Sequence, residues 1–235
     1  MKLLDNSTYA VERAVLNDVI KFENGKMVVH DDKCAVVRVG NWHKCVFADI
    51  TDFNGYADKY GLYGNVCFLG ASETADKALG FESSPCVTFA YLGAMPPQTE
   101  LPRGVEIKRL APSLAQTVVD AYHNPGGGYT AEHMAKVMRE KGVFGAIADG
   151  KLAGFIGRHG DGSMGMLEVF DGFRKRGIGG ALERFLINFV MTFGRTPFCD
   201  VYTDNAVSMQ MQKAAGLTPG CGYTFWTEIA GEGKQ

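Results

Sequence analysis

The chain has 235 residues, of which 46% are hydrophobic, enough to build one large core or two small ones. Its 24 lysines and arginines against 26 acidic residues leave a formal charge of −2, which argues against nucleic acid as a bulk electrostatic partner. Cys34, Cys45, Cys67, Cys86, Cys199 and Cys221 and the five histidines are scattered without metal-ligand spacing, so no metal site is expected. In "MKLLDNSTYA", Asp5 and Asn6 break any secretory apolar run. "ALERFLINFVMTF" carries Glu183 and Arg184 and is too short to span a bilayer. The expectation is a cytoplasmic protein with reduced thiols and no membrane association.

The prolines of "GAMPPQTELPRG" (93–104) predict an extended linker, separating residues 1–95 from residues 105–235 across 96–104. After it, "VEIKRLA" reads as a strand and "PSLAQTVVDAY" as a helix with Pro112 near its start. "HNPGGGY" is a glycine-rich loop, and "TAEHMAKVMREKG" a helix with Thr130 as N-cap and Gly142 as stop. Three strands follow, "VFGAIA", "KLAGFIGR" and "SMGMLEVF", joined by turns at Asp149-Gly150 and "HGDG". Ile178, Leu182, Phe185, Leu186, Phe189, Val190 and Phe193 then recur at helical spacing, closed by Gly194. A strand "FCDVYT", a helix from Asn205 to Ala215 and a strand "YTFWTEI" complete a mixed α/β half.

The two halves end alike. "KALGFESSPCVTF" (77–89) and "KAAGLTPGCGYTF" (213–225) share Lys, Ala, Gly, Thr and Phe at matching offsets, a pattern that predicts a degenerate internal repeat. The corresponding turn of the first half, "DFNGYADKYGLYG", has no basic residue beside its glycines except Lys59. A packing role without a cofactor site is expected there.

"RKRGIGGALERFLINFV" (174–190) places three cations and three glycines at a helix entrance. Unpaired N–H groups at a helix N-terminus suit a phosphate, and glycines let a ligand approach the main chain. The alternative is a solvated basic turn. "GDGSMG" (160–165) matches GxGxxG, but a strand rather than a helix follows it, so the dinucleotide reading is rejected.

In context the segment resembles the GNAT acyltransferase superfamily. Arg174, Gly177 and Gly179 match its R/Q-x-x-G-x-G/A signature, and Asn205, Ser208 and Gly216 match the pattern of its last helix. The pairing of "SMGMLEVFDGFRKRGIG" with "VYTDNAVSMQMQKAAGL" and the aromatic strand with Trp226 is most similar to the glycine N-acyltransferase branch. The resemblance implies a GNAT fold in residues 105–235 and a degenerate GNAT-like first half. It implies that the main chain from Lys175 through Arg176, Gly177, Ile178 and Gly179 to Gly180, with Arg174, holds the diphosphate of acetyl-CoA or another acyl-CoA. Val169 and Phe170 would pair with the pantetheine arm, Asn205 would reach its amides from the facing strand end, and Ser208 would also bind the cofactor.

The implied reaction is N-acylation of the amine of a small molecule or amino acid by a monomer or homodimer. Glu168 is the candidate base: strand alternation puts it with Met164, Met166 and Phe170, neighbours that raise a carboxylate pKa. An ion pair with Arg158 is the competing reading. Ser163 and His159 are weaker candidates. The tyrosine that many relatives carry in the last helix is Gln212 here, leaving Ser208, Tyr202, Tyr223 or water as the acid. A backbone N–H near Val169, exposed by a bulge, would bind the oxyanion. His123 and Tyr129 are candidate acceptor-lining residues. Alternatives are a CoA-binding sensor module that lacks catalysis, and a protein acetyltransferase.

Overall fold

The computed structural model describes residues 1–73, 75–80, 84–123 and 129–230, with the side chain of Asp76 excepted. Its first elements are α1 (Ala10–Phe22), β1 (Lys26–His30), β2 (Cys34–Val39), β3 (Trp42–Phe47), α2 (Phe53–Tyr60), β4 (Gly64–Ala71), α3 (Ala75–Leu79) and β5 (Cys86–Ala90). Then come β6 (Val105–Arg109), α4 (Ala115–Ala121), α5 (Ala131–Glu140), β7 (Val143–Ala148), β8 (Lys151–Arg158), β9 (Met164–Val169) and α6 (Ile178–Met191). The last are β10 (Phe198–Tyr202), α7 (Ala206–Ala214), β11 (Thr218–Pro219) and β12 (Tyr223–Ile229). Residues 81–83 of the repeat and 124–128 of the glycine-rich loop lie outside the described residues.

The compact units do not follow the linear halves. One unit joins Met1–Leu92 to Phe198–Gln235, and the other is Gly93–Pro197. Residues 198–235, grouped by sequence with the second half, therefore complete the first unit.

The reason is a strand exchange. Among the described residues, the first unit has an eight-stranded sheet ordered β1-β2-β3-β4-β12-β5-β10, with β11 also on β5. β12 pairs antiparallel with β4, setting Phe225 opposite Phe68, and β5 pairs antiparallel with β10, setting Thr88 opposite Asp200. Each closing strand thus pairs with a strand from the other half of the sequence. Alternation in β2 and β4 feeds two cores. Val36, Val66 and Phe68 face Phe53 and Ala57 of α2, whereas Val37, Cys67 and Leu69 face Val15, Leu16 and Val19 of α1. Each such buried side chain contributes about 1.5–3 kcal/mol.

The threonines matched in the repeat, Thr88 and Thr224, meet at the centre of this exchange. Both are buried, and their hydroxyl oxygens are 2.6 Å apart. Thr88 donates to Asp200 Oδ1 at 2.5 Å, so the Thr224 hydroxyl is the one that donates to Thr88.

The second unit carries a four-stranded antiparallel sheet, β6-β7-β8-β9. Met134, Val137 and Met138 of α5 and Val118 of α4 pack with Val143, Phe155 and Met166 on one face. On the other, α6 brings Phe185 and Phe189 edge-on to Phe144, with ring centroids 5.0 and 4.7 Å apart. The expected linker is strapped to that helix: Asn188 Nδ2 donates to Pro97 O at 3.0 Å and to Thr99 Oγ1 at 2.9 Å.

Because β12 needs β4 and β10 needs β5, a fragment of residues 96–235 is expected to be insoluble when expressed alone. Co-expression with residues 1–95 should recover a soluble 1:1 complex with native circular dichroism. A soluble, fully folded 96–235 fragment on size exclusion would refute this account.

Candidate functional site

The site is built where β9 ends and α6 begins. Phe170 leaves the sheet with its N–H donating to Ala153 O at 2.9 Å, and a short 3-10 turn at Asp171–Phe173 leads into the cationic segment. Lys175 and Gly177 both have left-handed backbones, with φ of 60° and 78°. These two reversals bring Gly177 to the N-cap of α6, where no side chain caps the helix. The first-turn amides therefore remain open, and the helix dipole places partial positive charge there. A cavity of about 450 Å³ adjoins this end, lined by Gln98, Glu100, Leu101, Pro102, Gly177 and Arg184.

The three cations differ in their commitments. Arg174 donates through Nε to Val169 O at 3.0 Å, and its Nη1 lies 2.9 Å from Asp171 Oδ1. Arg176 lies 3.4 Å from Asp149 Oδ2, with its guanidinium over the Phe173 ring. Lys175 is exposed and has no carboxylate partner among the described residues. The side chain of Ile178 is buried, so only its main chain faces the turn.

The bulge lies earlier than expected. Phe155 pairs with Glu168 but Gly157 pairs with Gly165, so β9 carries one extra residue. Met166, with φ of 55°, absorbs it. The extra residue breaks the expected alternation. Met164 falls opposite Arg158, whose guanidinium lies over Phe189 of α6, whereas Glu168 falls opposite Phe155 on the face of α4 and α5. Met164 is thus removed from the set expected around Glu168, and Arg158 belongs to the opposite face. Val169 N–H still points away from β8, because Phe170 N–H points toward it and β9 is the edge strand of this sheet.

Glu168 meets His123. Its Oε1 accepts the His123 backbone N–H at 3.2 Å and lies 3.7 Å from His123 Nδ1, with the Glu168 side chain 17% exposed and that of His123 85% exposed. Tyr129 meets His159: its hydroxyl lies 2.7 Å from His159 Nδ1, with the rings stacked at 22°. The His133 and Tyr122 rings flank Tyr129 at 5.2 and 6.2 Å. Burial raises the Tyr129 phenol, with Asp161 adding to the effect. Burial lowers the His159 imidazole, against the opposing pull of Asp161, and so favours the neutral ring.

Gly165 makes that placement possible, since a Cβ there would stand 2.2 Å from His159 Nε2. A glycine between two methionines inside a strand was the one sequence sign of this close approach. Ser163 is committed elsewhere, because its hydroxyl donates to Asp161 at 2.6 Å.

Asn205, Ser208 and Tyr223 belong to the first unit. Asn205 Oδ1 accepts Ser208 N–H at 3.0 Å and caps α7, so that oxygen is already engaged. Tyr223 lies at the start of β12, opposite Ala71, and lines a separate cavity. Gln212 is buried, and its amide oxygen has no hydrogen-bond partner. Burial raises Tyr202, with Cys86 and Asp204 reinforcing it.

The chain has the GNAT fold in a two-domain tandem form, and in its second unit the bulged edge strand of the antiparallel sheet runs through a glycine-opened turn into a helix. Residues 141–219 match the family model described as FR47-like protein. Three solved structures share the fold. A Drosophila protein matches at a TM-score of 0.60 and 18% identity, over 84% of this chain and 74% of its own. A GCN5-related N-acetyltransferase from Kribbella flavida matches at 0.53 and 11%, over 96% of each chain. Another, from Sphaerobacter thermophilus, matches at 0.53 and 15%, over 86% and 82%. No curated protein sequence matches. Among the described residues no helix is long and apolar enough to cross a membrane, and no three His, Cys, Asp or Glu residues are grouped to hold a metal.

The Tyr129–His159 pair has a measurable signature. By NMR, His159 should titrate below 6.5, the ordinary histidine value. Tyr129→Phe removes the hydroxyl beside Nδ1, and a midpoint that rises in that variant identifies the hydroxyl as the donor. Since the folded value is depressed, the neutral ring's stabilising contribution is complete above pH 6.5 and is lost as the pH falls through the folded midpoint.

Proposed function

We propose that the protein is an acyl-CoA-dependent N-acyltransferase that acylates the amine of a small molecule. The observation that carries this reading is the uncapped N-terminus of α6 beneath Lys175 and Arg176, following directly on the edge strand that bears Glu168. The fit to a diphosphate is chemical. Open main-chain amides, a left-handed glycine without a Cβ and an uncommitted lysine offer donors and positive charge to an anion. The bound thioester supplies the acyl group, and its thiolate leaves without obligatory acid assistance, since a thiol pKa is ~8.5.

The chain's own groups do the rest. Val169 N–H, directed off the sheet edge, is the donor for the developing oxyanion. Glu168 accepts the proton of the attacking amine, directly or through one water. Its hydrogen bond from the His123 main chain fixes the carboxylate's direction. His159, held by Tyr129, lies on the same unit. The resemblance to the glycine N-acyltransferase branch supports an amino acid or similar small amine as acceptor, and acetyl-CoA or another short acyl-CoA as donor.

A second reading, a CoA-binding module without turnover, draws on Gln212, buried where many relatives have a tyrosine. Turnover separates the two. Free thiol should be released from acetyl-CoA only when an amine from a small-molecule panel is present; binding without release would favour the sensor.

Two variants test the residues. Gly179→Val, with unchanged circular dichroism, should abolish calorimetric binding of CoA, and unchanged affinity would reject the turn as the diphosphate site. Glu168→Gln should retain CoA affinity while losing about 10²–10⁴ in kcat. Full turnover at every pH would place the base elsewhere.

A further inference from the structure

The cavity at the α6 entrance has the volume of a small-molecule pocket, about 450 Å³, and most of its wall is linker. Gln98, Glu100, Leu101 and Pro102 line it on that side, Gly177 and Arg184 on the side of the helix. All six belong to the second unit.

The helix holds the linker in this place. Gly180, Arg184 and Asn188 recur every four residues and so share one face of α6. Asn188 straps one end of the linker through its two hydrogen bonds to Pro97 O and Thr99 Oγ1. At the other end Val105 N–H donates to Pro102 O at 3.0 Å, which turns the linker into β6. Pro102 also abuts the glycine turn, since its Cγ would stand 3.6 Å from a Cβ at Gly177. Residues 98–102 are therefore a wall tied at both ends.

Arg184 reaches back along the helix. Its Nη1 lies 3.4 Å from Gly180 O, and a Cβ at Gly180 would stand 3.2 Å from the same nitrogen. The glycine thus lets a half-buried guanidinium lie at the level of the first turn. On the linker side Gln98 Nε2 donates to Glu100 Oε1 at 3.4 Å. The lining offers one cation, one carboxylate, one amide and two apolar side chains. For a bare phosphate the cation and the carboxylate oppose each other. A nucleoside phosphate uses them all: the guanidinium pairs with phosphate, the carboxylate and amide take ribose hydroxyls or a ring amino group, and Leu101 and Pro102 cover the base.

We infer that the adenosine 3′-phosphate end of the acyl donor lies between the linker and α6, with Arg184 receiving the 3′-phosphate and Glu100 the donors of the nucleoside. This rests on the reading of the α6 turn as the diphosphate site. CoA carries its 5′-diphosphate and its 3′-phosphate on one ribose, so the two need donors on one surface, as the open amides and the Arg184 guanidinium are. The donor is then a nucleotide thioester and not an acyl group on a carrier protein's phosphopantetheine, which has no nucleoside to fill the cavity.

Calorimetry on the intact protein compares CoA, 3′-dephospho-CoA and 4′-phosphopantetheine. CoA should bind at least tenfold tighter than 3′-dephospho-CoA, and phosphopantetheine at least tenfold more weakly than that. Arg184→Gln should bring CoA down to the affinity of 3′-dephospho-CoA and leave the latter within twofold, a selective loss that general loosening of the helix does not produce. Leu101→Asp, at a linker position that is 46% exposed, should weaken both nucleotides at least tenfold, and it decides the matter where Arg184→Gln fails to fold. Equal binding of CoA and its dephospho form, phosphopantetheine binding as tightly as CoA, an Arg184→Gln loss shared equally by both nucleotides, or unchanged CoA affinity in Leu101→Asp would overturn the inference. With Gly179→Val still abolishing CoA binding, any of these would leave the diphosphate site standing. Failure of the unaltered protein to bind CoA would overturn both.

Discussion

The hydroxyl relay from Thr224 through Thr88 to Asp200 joins three strands drawn from both halves of the sequence, with both threonines buried and Asp200 half-buried. Hydrogen bonds in such surroundings are strong because the alternative is an unsatisfied buried group. The relay also fixes register. β5 cannot slip against β10 or β12 without separating Thr88 from both partners, and a slip of one residue would also turn Phe89 and Phe225 out of the core. The first unit's two-sided packing is arranged around this junction. One lysine is accommodated inside it: Lys44 is buried with its ammonium 4.5 Å above the Trp226 ring, so a strand from the chain's end helps to house a charge on β3.

The two units use opposite devices at similar positions. At the end of β9 the chain gives up side chains, leaving main-chain donors open beneath cations. After β3 it supplies Asp49, which occupies the Thr51 amide itself, and acidic groups gather beside it.

Much of this was legible in the sequence. The helix of α6, the Thr130 cap of α5 and the Asp149-Gly150 hairpin followed from periodicity and turn chemistry, which are local properties. The glycine turn was legible because few structural needs call for three glycines and three cations together. What escaped was non-local. No pattern within "YTFWTEI" says that its partner is β4 rather than a strand of its own half, since alternation fixes which face is buried and not which neighbour is paired. The bulge at Met166 escaped for another reason. A methionine gives no sign of a left-handed backbone, and one extra residue reassigned Met164 to the far face of the sheet. Gly165 was the only local trace, and its meaning depended on His159, six residues away.

The strand exchange also has a consequence for synthesis. The second unit is contiguous, Gly93–Pro197, and can close its sheet as soon as it has left the ribosome. The first unit cannot. β4 and β5 emerge early with their edges bare and must wait for β12 and β10, which are made more than a hundred residues later. Chain elongation at about 5–20 residues per second makes that wait several seconds or more, during which β4 offers an apolar edge to any passing strand. The order of folding is therefore the reverse of the order of numbering: the unit that holds β4 and β5 is completed after the unit that follows them.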